Sequence, residues 1–415
     1  MTRFSSSFVR ATLAAAVLVV SGCDGSDSSA DADATYQGRV TNDAATARLA
    51  SADVEGATVT AASISASGQS RMLSGSATTS ASGQFSLQSD GTTEAAVLMA
   101  EGTGGFASSV LVEAGGAARG TVQTAPMTAE TDTEADVFIA ARQRGSRARV
   151  ADAVLFVTAD VTTDVRAGQT TTAQVAAALD AAIAAERRAA RDEGASDDEV
   201  EEAADERDDA HAAFRTSLSA SVSAEVATQT FEDAYVNAYS RAGLTARTSA
   251  RAARARVLAS ERFAGSLSNR ASASIRAQAR LFAAVATALA VEAEFEARGA
   301  ASARLATLRA ARTTLVASLR AATTNVQRNA AEAQYASTVE AELSAESGVS
   351  MGQLNSAMSA TTAASAALTA SVNTAASGEA VATAVATYYT AARSSVAAVV
   401  SADLAVDVLV LLTAF

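Results

Sequence analysis

Between residues 35 and 127, short apolar runs rich in Val, Thr and Ser alternate with glycine-containing turns. Candidate strands are Tyr36–Thr41, Ala57–Ile64, Arg71–Thr78, Gln84–Gln88, Glu94–Ala100, Ala107–Val112 and Gly120–Thr124. Within several of them every second residue is apolar, as in Phe85/Leu87 and Val110/Val112. Successive side chains of a strand point to opposite faces, so this alternation marks half-buried strands. Seven short strands punctuated by glycine predict a β-sandwich.

After Pro126 the apolar period changes from two to about 3.6 and alanine, a strong helix former, dominates. Thr131–Arg144 and Val150–Asp160 read as shorter helices. Thr172 is placed to cap a helix carrying Val175, Leu179 and Ile183 that continues to Gly194, which makes 128–195 a set of connecting helices. Ser196 and Glu199 then match a capping box, in which each side chain satisfies the other's backbone N–H. A stripe of Phe214, Leu218, Val222 and Val226, extended by Phe231, Tyr235 and Tyr239, runs to Gly243, and Thr245 is placed to cap the next helix. The following helix carries Ile275, Phe282, Val285 and Leu289 to Gly299, and the next Leu305, Leu308, Leu315, Leu319 and Val326 to Gly348. A last segment from Met351 is interrupted by Gly378. The glycine stops leave stretches of about 50 residues, roughly 70 Å each if unbroken. Alanine between the larger residues allows close helix approach, and i,i+4 pairs such as Glu294 with Arg298 would support exposed faces. The expected fold class is therefore multidomain α and β. A small seven-stranded β-sandwich precedes a long, Ala-rich, mainly antiparallel helical bundle over 196–415.

The first 22 residues have a different pattern. Arg3 and Arg10 flank an apolar run, Ala11–Val20, that is too short to span a bilayer. Val20-Ser21-Gly22-Cys23 resembles the lipobox of bacterial lipoproteins. That resemblance implies a signal peptide over 1–22, cleavage before Cys23, and acylation of the Cys23 thiol and amine; two or more acyl chains anchor stably where one does not. Cys23 is the sole cysteine, which excludes an internal disulfide framework. Residues 23–34 are small, acidic and aperiodic and read as a flexible tether. The acidic residue after the cysteine, Asp24, carries lineage-dependent meaning in that family and does not choose a membrane.

The β-rich segment carries a second resemblance. Gly38-Arg39-Val40, Val54-Glu55-Gly56-Ala57-Thr58-Val59, the run from Thr79 through Gly83, Phe85 and Leu87, and the turn Gly102–Phe106 resemble motifs of the carboxypeptidase regulatory-like domain. The resemblance covers 35–127 and implies a transthyretin-like sandwich acting as a non-catalytic accessory module.

Charge and composition narrow the options further. The formal net charge is −13, and loss of Arg3 and Arg10 with the signal would take it to −15. That repels nucleic acid and anionic lipid, so no nucleic-acid partner is expected. All 32 basic residues are arginine, with no lysine and no tryptophan. High-GC codon usage explains the Arg bias, and adaptation to salt explains the acidic, Ala- and Thr-rich surface. Without lysine there is no Walker A lysine, Schiff base or Ser-Lys dyad. One histidine, His211, excludes H-E-x-x-H, and no G-x-S-x-G elbow occurs. The expectation is no enzyme and no cofactor. Glu201, Asp205, Asp208, Asp209 and His211 are candidate divalent-metal ligands, since Glu201, Asp205 and Asp209 recur every four residues on one helical face. The simpler reading of that face is a solvated acidic helix start favoured by the helix dipole. Tyr235, Tyr239, Tyr388 and Tyr389 read as core-rim residues, and Val408–Leu412 as a buried helix end. The functional expectation is a lipid-anchored cell-envelope protein, at either envelope face, with a structural or protein-interaction role and an unassigned protein partner. The alternative is a solute- or divalent-metal-binding component of an envelope transport system. The long helices equally suit assembly between chains, so the pattern leaves the oligomeric state open.

Overall fold

A computed structural model describes residues 33–42, 52–114, 120–219 and 224–413; Cys23, the signal segment and most of the tether lie outside them. The described chain is mixed, with N-terminal β-sheets followed by a helical region. Ten strands occur among the described residues: β1 (Asp33–Arg39), β2 (Thr41–Asn42), β3 (Ala52–Asp53), β4 (Thr58–Ile64), β5 (Ser70–Met72), β6 (Ala77–Thr78), β7 (Gln84–Asp90), β8 (Ala95–Glu101), β9 (Ala107–Val112) and β10 (Gly120–Gln123).

The count exceeds the seven expected by three: two apolar runs are each cut in two, and β3 lies outside every expected strand. Val40 leaves the β1 ladder, donating to Gly83 O and forming a parallel bridge to Met127, so Thr41 and Asn42 pair separately with β3. The run Arg71–Thr78 is divided at Gly75 (φ 86°), and β5 and β6 both pair with β4. β1 also begins inside the expected tether: Asp33 and Ala34 pair with Asp90 and Ser89 of β7, and Ala34 is fully buried.

The strands form a three-stranded sheet in the order β10-β1-β7, the β2–β3 pair, and a sheet ordered β5-β4-β8-β9 with β6 also on β4. β1 runs parallel to β10 and antiparallel to β7. Tyr36, Phe85 and Leu87 of the smaller sheet share one core with Val59, Ala61, Leu98 and Val110 of the larger. The opposite face of the larger sheet is also covered: Ile64, Val97 and Leu111 belong to a second core with Val137 and Phe138 of α1 (Ala129–Gln143). Burial on both faces explains why β8 reads Ala-Ala-Val-Leu-Met-Ala without alternation, whereas β7 alternates exposed and buried positions. Gly38 sits where β1 passes Phe85 and Thr124; a Cβ there would lie 2.1 Å from Thr124 Oγ1, so only glycine fits.

The helical region comprises α1, α2 (Val150–Phe156), α3 (Ala159–Arg166), α4 (Thr172–Asp192), α5 (Asp197–Ser219), α6 (Ala224–Val236), α7 (Ala238–Arg241), α8 (Ala246–Phe263), α9 (Asn269–Ala297), α10 (Ser302–Ala321), α11 (Asn325–Ser347), α12 (Met351–Ala360), α13 (Thr362–Thr374), α14 (Gly378–Ala397) and α15 (Asp403–Leu412). Gly243, Gly299 and Gly348 do end helices, each with positive φ. Ser196 and Glu199 form the reciprocal capping box, and Thr245 caps α8, while the cap of α4 is Thr171, one residue before Thr172.

The expected unbroken rods do not form, because each long stretch divides. The 245–298 stretch turns at Ala264–Ser266, and Ser268 starts α9 by accepting from Ala271 N–H. Asp164 of α3, fully buried, fastens that new end by accepting from the Ser268 hydroxyl, Arg270 and Ala271 N–H. In the 300–347 stretch, Thr324 and Gln327 form a capping box that begins α11. A helix start needs acceptors for its free N–H groups, and here local hydroxyls and one distant carboxylate supply them.

α4 lies deep among the helices, packed against α8 and α14. α9 is long and apolar enough to cross a membrane, but 61% of its most apolar window is buried within the protein, as in a core helix. Val408–Leu412 is buried, as expected of a helix end. Arg298 does not pair with Glu294: it binds Asp407 of α15, and Glu294 takes Arg247 of α8.

Candidate functional site: a buried charge network where sheet and helices meet

α5 has an unusual inner face. Val200, Ala203, Ala204, Arg207, Asp208, His211 and Arg215 are all buried, at helical spacing. The inward stripe thus begins apolar and continues ionisable, while Asp205 and Asp209 face solvent. The first turn is solvated as expected, but His211 and Asp208 are not on that surface; they point into the protein.

His211 Nδ1 contacts Glu113 Oε1, just beyond β9. Arg215 binds the same carboxylate and donates to Gln123 O at the end of β10. One buried carboxylate and one strand-end carbonyl therefore tie the sheets to α5. The His211 ring packs against Phe214 and Phe231, at 5.9 and 5.3 Å between centroids. Burial would raise the Glu113 pKa, but His211 and Arg215 outweigh it, so Glu113 is held below its ordinary value and stays charged.

One turn earlier, Asp208 accepts from Ala151 N–H at 3.0 Å, at the start of α2. Asp152 in the same turn accepts from Arg149 N–H, the Tyr235 hydroxyl and Arg256. Glu186 of α4 binds Arg207 and, at 2.7 Å, Arg256. Arg207 also lies 4.5 Å over the Tyr235 ring and 4.8 Å over Tyr239. Burial opposes ionisation of Asp152 and Glu186, yet Arg256 and Arg207 lower both pKa values. Asp208 differs: burial pushes it up to about 8, and the Ala151 N–H and Arg149 do not offset that against Glu113 and Asp152. Three ionised carboxylates, Glu113, Asp152 and Glu186, and the largely neutral Asp208 therefore coexist at pH 7.

The five metal candidates do not converge. Glu201 binds Arg149 and Arg187, Asp205 binds Arg149 at 2.7 Å, Asp208 takes a backbone N–H, His211 takes Glu113, and Asp209 is exposed. Among the described residues, no group of three or more His, Cys, Asp or Glu side chains is placed to hold a metal ion. Cys23, the lipidation candidate, lies outside the described residues. Tyr235 and Tyr389 are fully buried rather than at the core rim, and the Tyr235 hydroxyl goes to Asp152 rather than to water.

No protein-family model, curated protein or solved structure matches this chain. The lipobox and the carboxypeptidase regulatory-like motifs thus remain resemblances carried by their own residues.

Sequence reasoning missed Glu113, Asp152, Glu186, Arg207, Arg215 and Arg256. The available signal was the spacing of Val200, Ala203, Arg207, His211 and Arg215 in steps of three or four, a core stripe written partly in charged residues. Chemically, the network fits mutual neutralisation. Each arginine faces a carboxylate or a backbone carbonyl, and among the described residues no Ser nucleophile hydrogen-bonds with His211.

Proposed function

We propose that this protein is a lipid-anchored component of the bacterial cell envelope, held by Cys23, with a non-catalytic structural or protein-interaction role. We read its two main sheets, which share a core, as a transthyretin-like sandwich next to the tether. The observation that carries the structural role is the joint at Glu113. His211 and Arg215 grip it from α5, and apolar residues of the sheet and α1 continue one core across the same boundary. Such a joint makes the β-rich and helical parts one stiff unit suited to presenting a surface, since several buried side chains would have to lose partners together for it to bend. The metal-binding alternative loses support because Glu201, Asp205, Asp208 and His211 each already have a partner.

Expression of the whole chain with labelled palmitate tests the anchor. Label incorporation and partition into the detergent phase are expected for the native protein, and neither for Cys23→Ser. An unlabelled, water-soluble native protein would refute the reading. Protease shaving of intact cells, with a periplasmic control, then assigns the exposed face.

A further inference from the structure

α10 and α11 are joined by residues 322–324 and run antiparallel as a hairpin, with Arg304 near the start of α10 reaching Glu342 near the end of α11 at 2.7 Å. Their inner sides join the main core through Leu305, Leu308, Leu315 and Leu319 of α10 and Tyr335, Val339 and Leu343 of α11. Between the two helices runs an open groove of about 260 Å³, lined by Thr307, Ala311 and Thr314 of α10 and Ala331, Gln334 and Thr338 of α11. On α10 the exposed residues Ala303, Thr307, Ala310, Thr314, Ala317 and Ala321 succeed one another at steps of four and three. On α11 the exposed Gln327, Ala330, Gln334, Ser337 and Ala341 do the same. Such steps keep one helical face turned towards a partner helix, and the small side chains let that helix approach closely.

The charges flanking this face separate by sign. α10 carries Arg304, Arg309, Arg312 and Arg320 and no acid; α11 carries Glu332, Glu340, Glu342 and Glu346 against Arg328 alone. Most of these have partners on their own chain: Arg304 binds Glu342 and Glu346, Arg312 binds Glu292, Arg320 binds Asp233, and Arg280 binds Glu332. Two are left over. The Arg309 side chain is 55% exposed, and its nearest carboxylate, Glu292, is 3.9 Å away and already held by Arg312. Glu340 is half-buried and has no cationic partner among the described residues; burial pushes its pKa up, which a nearby guanidinium would reverse.

We propose that the outer face of the α10–α11 hairpin docks on the same face of a second copy of this chain, α10 of each lying antiparallel on α11 of the other to form a four-helix bundle. A two-fold axis parallel to the helices gives this arrangement. The charges favour it twice. Two chains of net charge −13 repel, and this face lets them meet with no charged residue on the seam itself. Laying α10 on α11 also sets the arginine-bearing edge of one copy beside the glutamate-bearing edge of the other, so Arg309 comes beside Glu340 of the partner subunit; α10 on α10 would bring arginines together. Size agrees as well. Helices of 20 and 23 residues are about 30 Å long, and a pair about 20 Å wide, so the two copies would cover about 1,200 Å² in all, the lower end for a stable interface. The proposal goes beyond the structural role above and does not require the lipid anchor.

Sedimentation velocity of the full chain carrying Cys23→Ser, which removes any lipid-driven association, tests it from 1 to 100 μM. A concentration-dependent dimer is expected. Ala310→Glu puts a charge at the centre of the face, at an exposed position where the fold tolerates it, and should weaken the dimer at least tenfold with native circular dichroism. Arg309→Glu and Glu340→Arg should each weaken it at least threefold, and the double exchange should restore it. Three results would overturn the proposal: a monomer at 100 μM, a dimer indifferent to folded Ala310→Glu, or a double exchange no tighter than either single variant.

Discussion

Gly378 opens α14, and its replacement by alanine separates local propensity from tertiary packing. By propensity, alanine in a helix is favoured over glycine by about 0.5–1 kcal/mol, through lower unfolded-state entropy and less exposed backbone. The structure predicts the opposite sign here. A Cβ on Gly378 would lie 2.1 Å from the carbonyl oxygen of Ala181 and 3.0 Å from Ala185 N, both backbone atoms of α4. Ordinary carbon contact begins near 3.5 Å, so α14 would have to retreat from α4 by about 1 Å. The buried side chains of Val381, Ala382 and Val385 would move with it and lose part of their contact. Overpacking of this kind costs about 1–3 kcal/mol. Gly352, at the second position of α12, is the internal control: an added Cβ meets nothing within 4 Å. Gly352→Ala should therefore stabilise, Gly378→Ala should destabilise, and the two should differ by about 1.5–4 kcal/mol. Urea unfolding followed by circular dichroism measures both midpoints. Equal midpoints for the two variants would refute the close approach of α14 to α4.

Three further outcomes follow from the buried network. The folded pKa of Asp208, about 8, lies above its ordinary value of 3.8, so its contribution to stability is full in acid and is lost as pH rises through 8; Asp208→Asn should gain on the native protein between pH 5 and pH 8.5, and urea midpoints moving in parallel would contradict this. Glu186→Gln leaves Arg207 and Arg256 short of a counter-charge and should cost about 3–5 kcal/mol, read by the same unfolding assay; a cost under about 1 kcal/mol would show the ion pairs to be dispensable. Tyr235→Phe removes a donor to the Asp152 carboxylate and should cost about 1.5–3 kcal/mol, with a raised Asp152 pKa visible by carboxyl NMR; an unshifted resonance would rule the contact out.

The sequence alone determined the change from strands to helices near Pro126, the approximate position of each main strand, and the glycine stops at 243, 299 and 348. These depend on local causes: two-residue alternation, alanine's helix preference, and the positive φ that glycine tolerates. It also placed the capping box at Ser196, because the partners are only three residues apart. Tertiary structure decided the rest. Whether β8 is half-buried or covered on both faces depended on α1, and the break before α9 was fastened by Asp164, more than one hundred residues away. The largest difference concerns the inner face of α5. A run of acids with one histidine reads as solvated because burying charge is costly, and that holds for Asp205 and Asp209. Arg207, His211 and Arg215 are buried because Glu186 and Glu113, distant in sequence, offset that cost. Residue spacing specifies which face of a helix points inward; only the packed chain specifies which charges wait there to meet it.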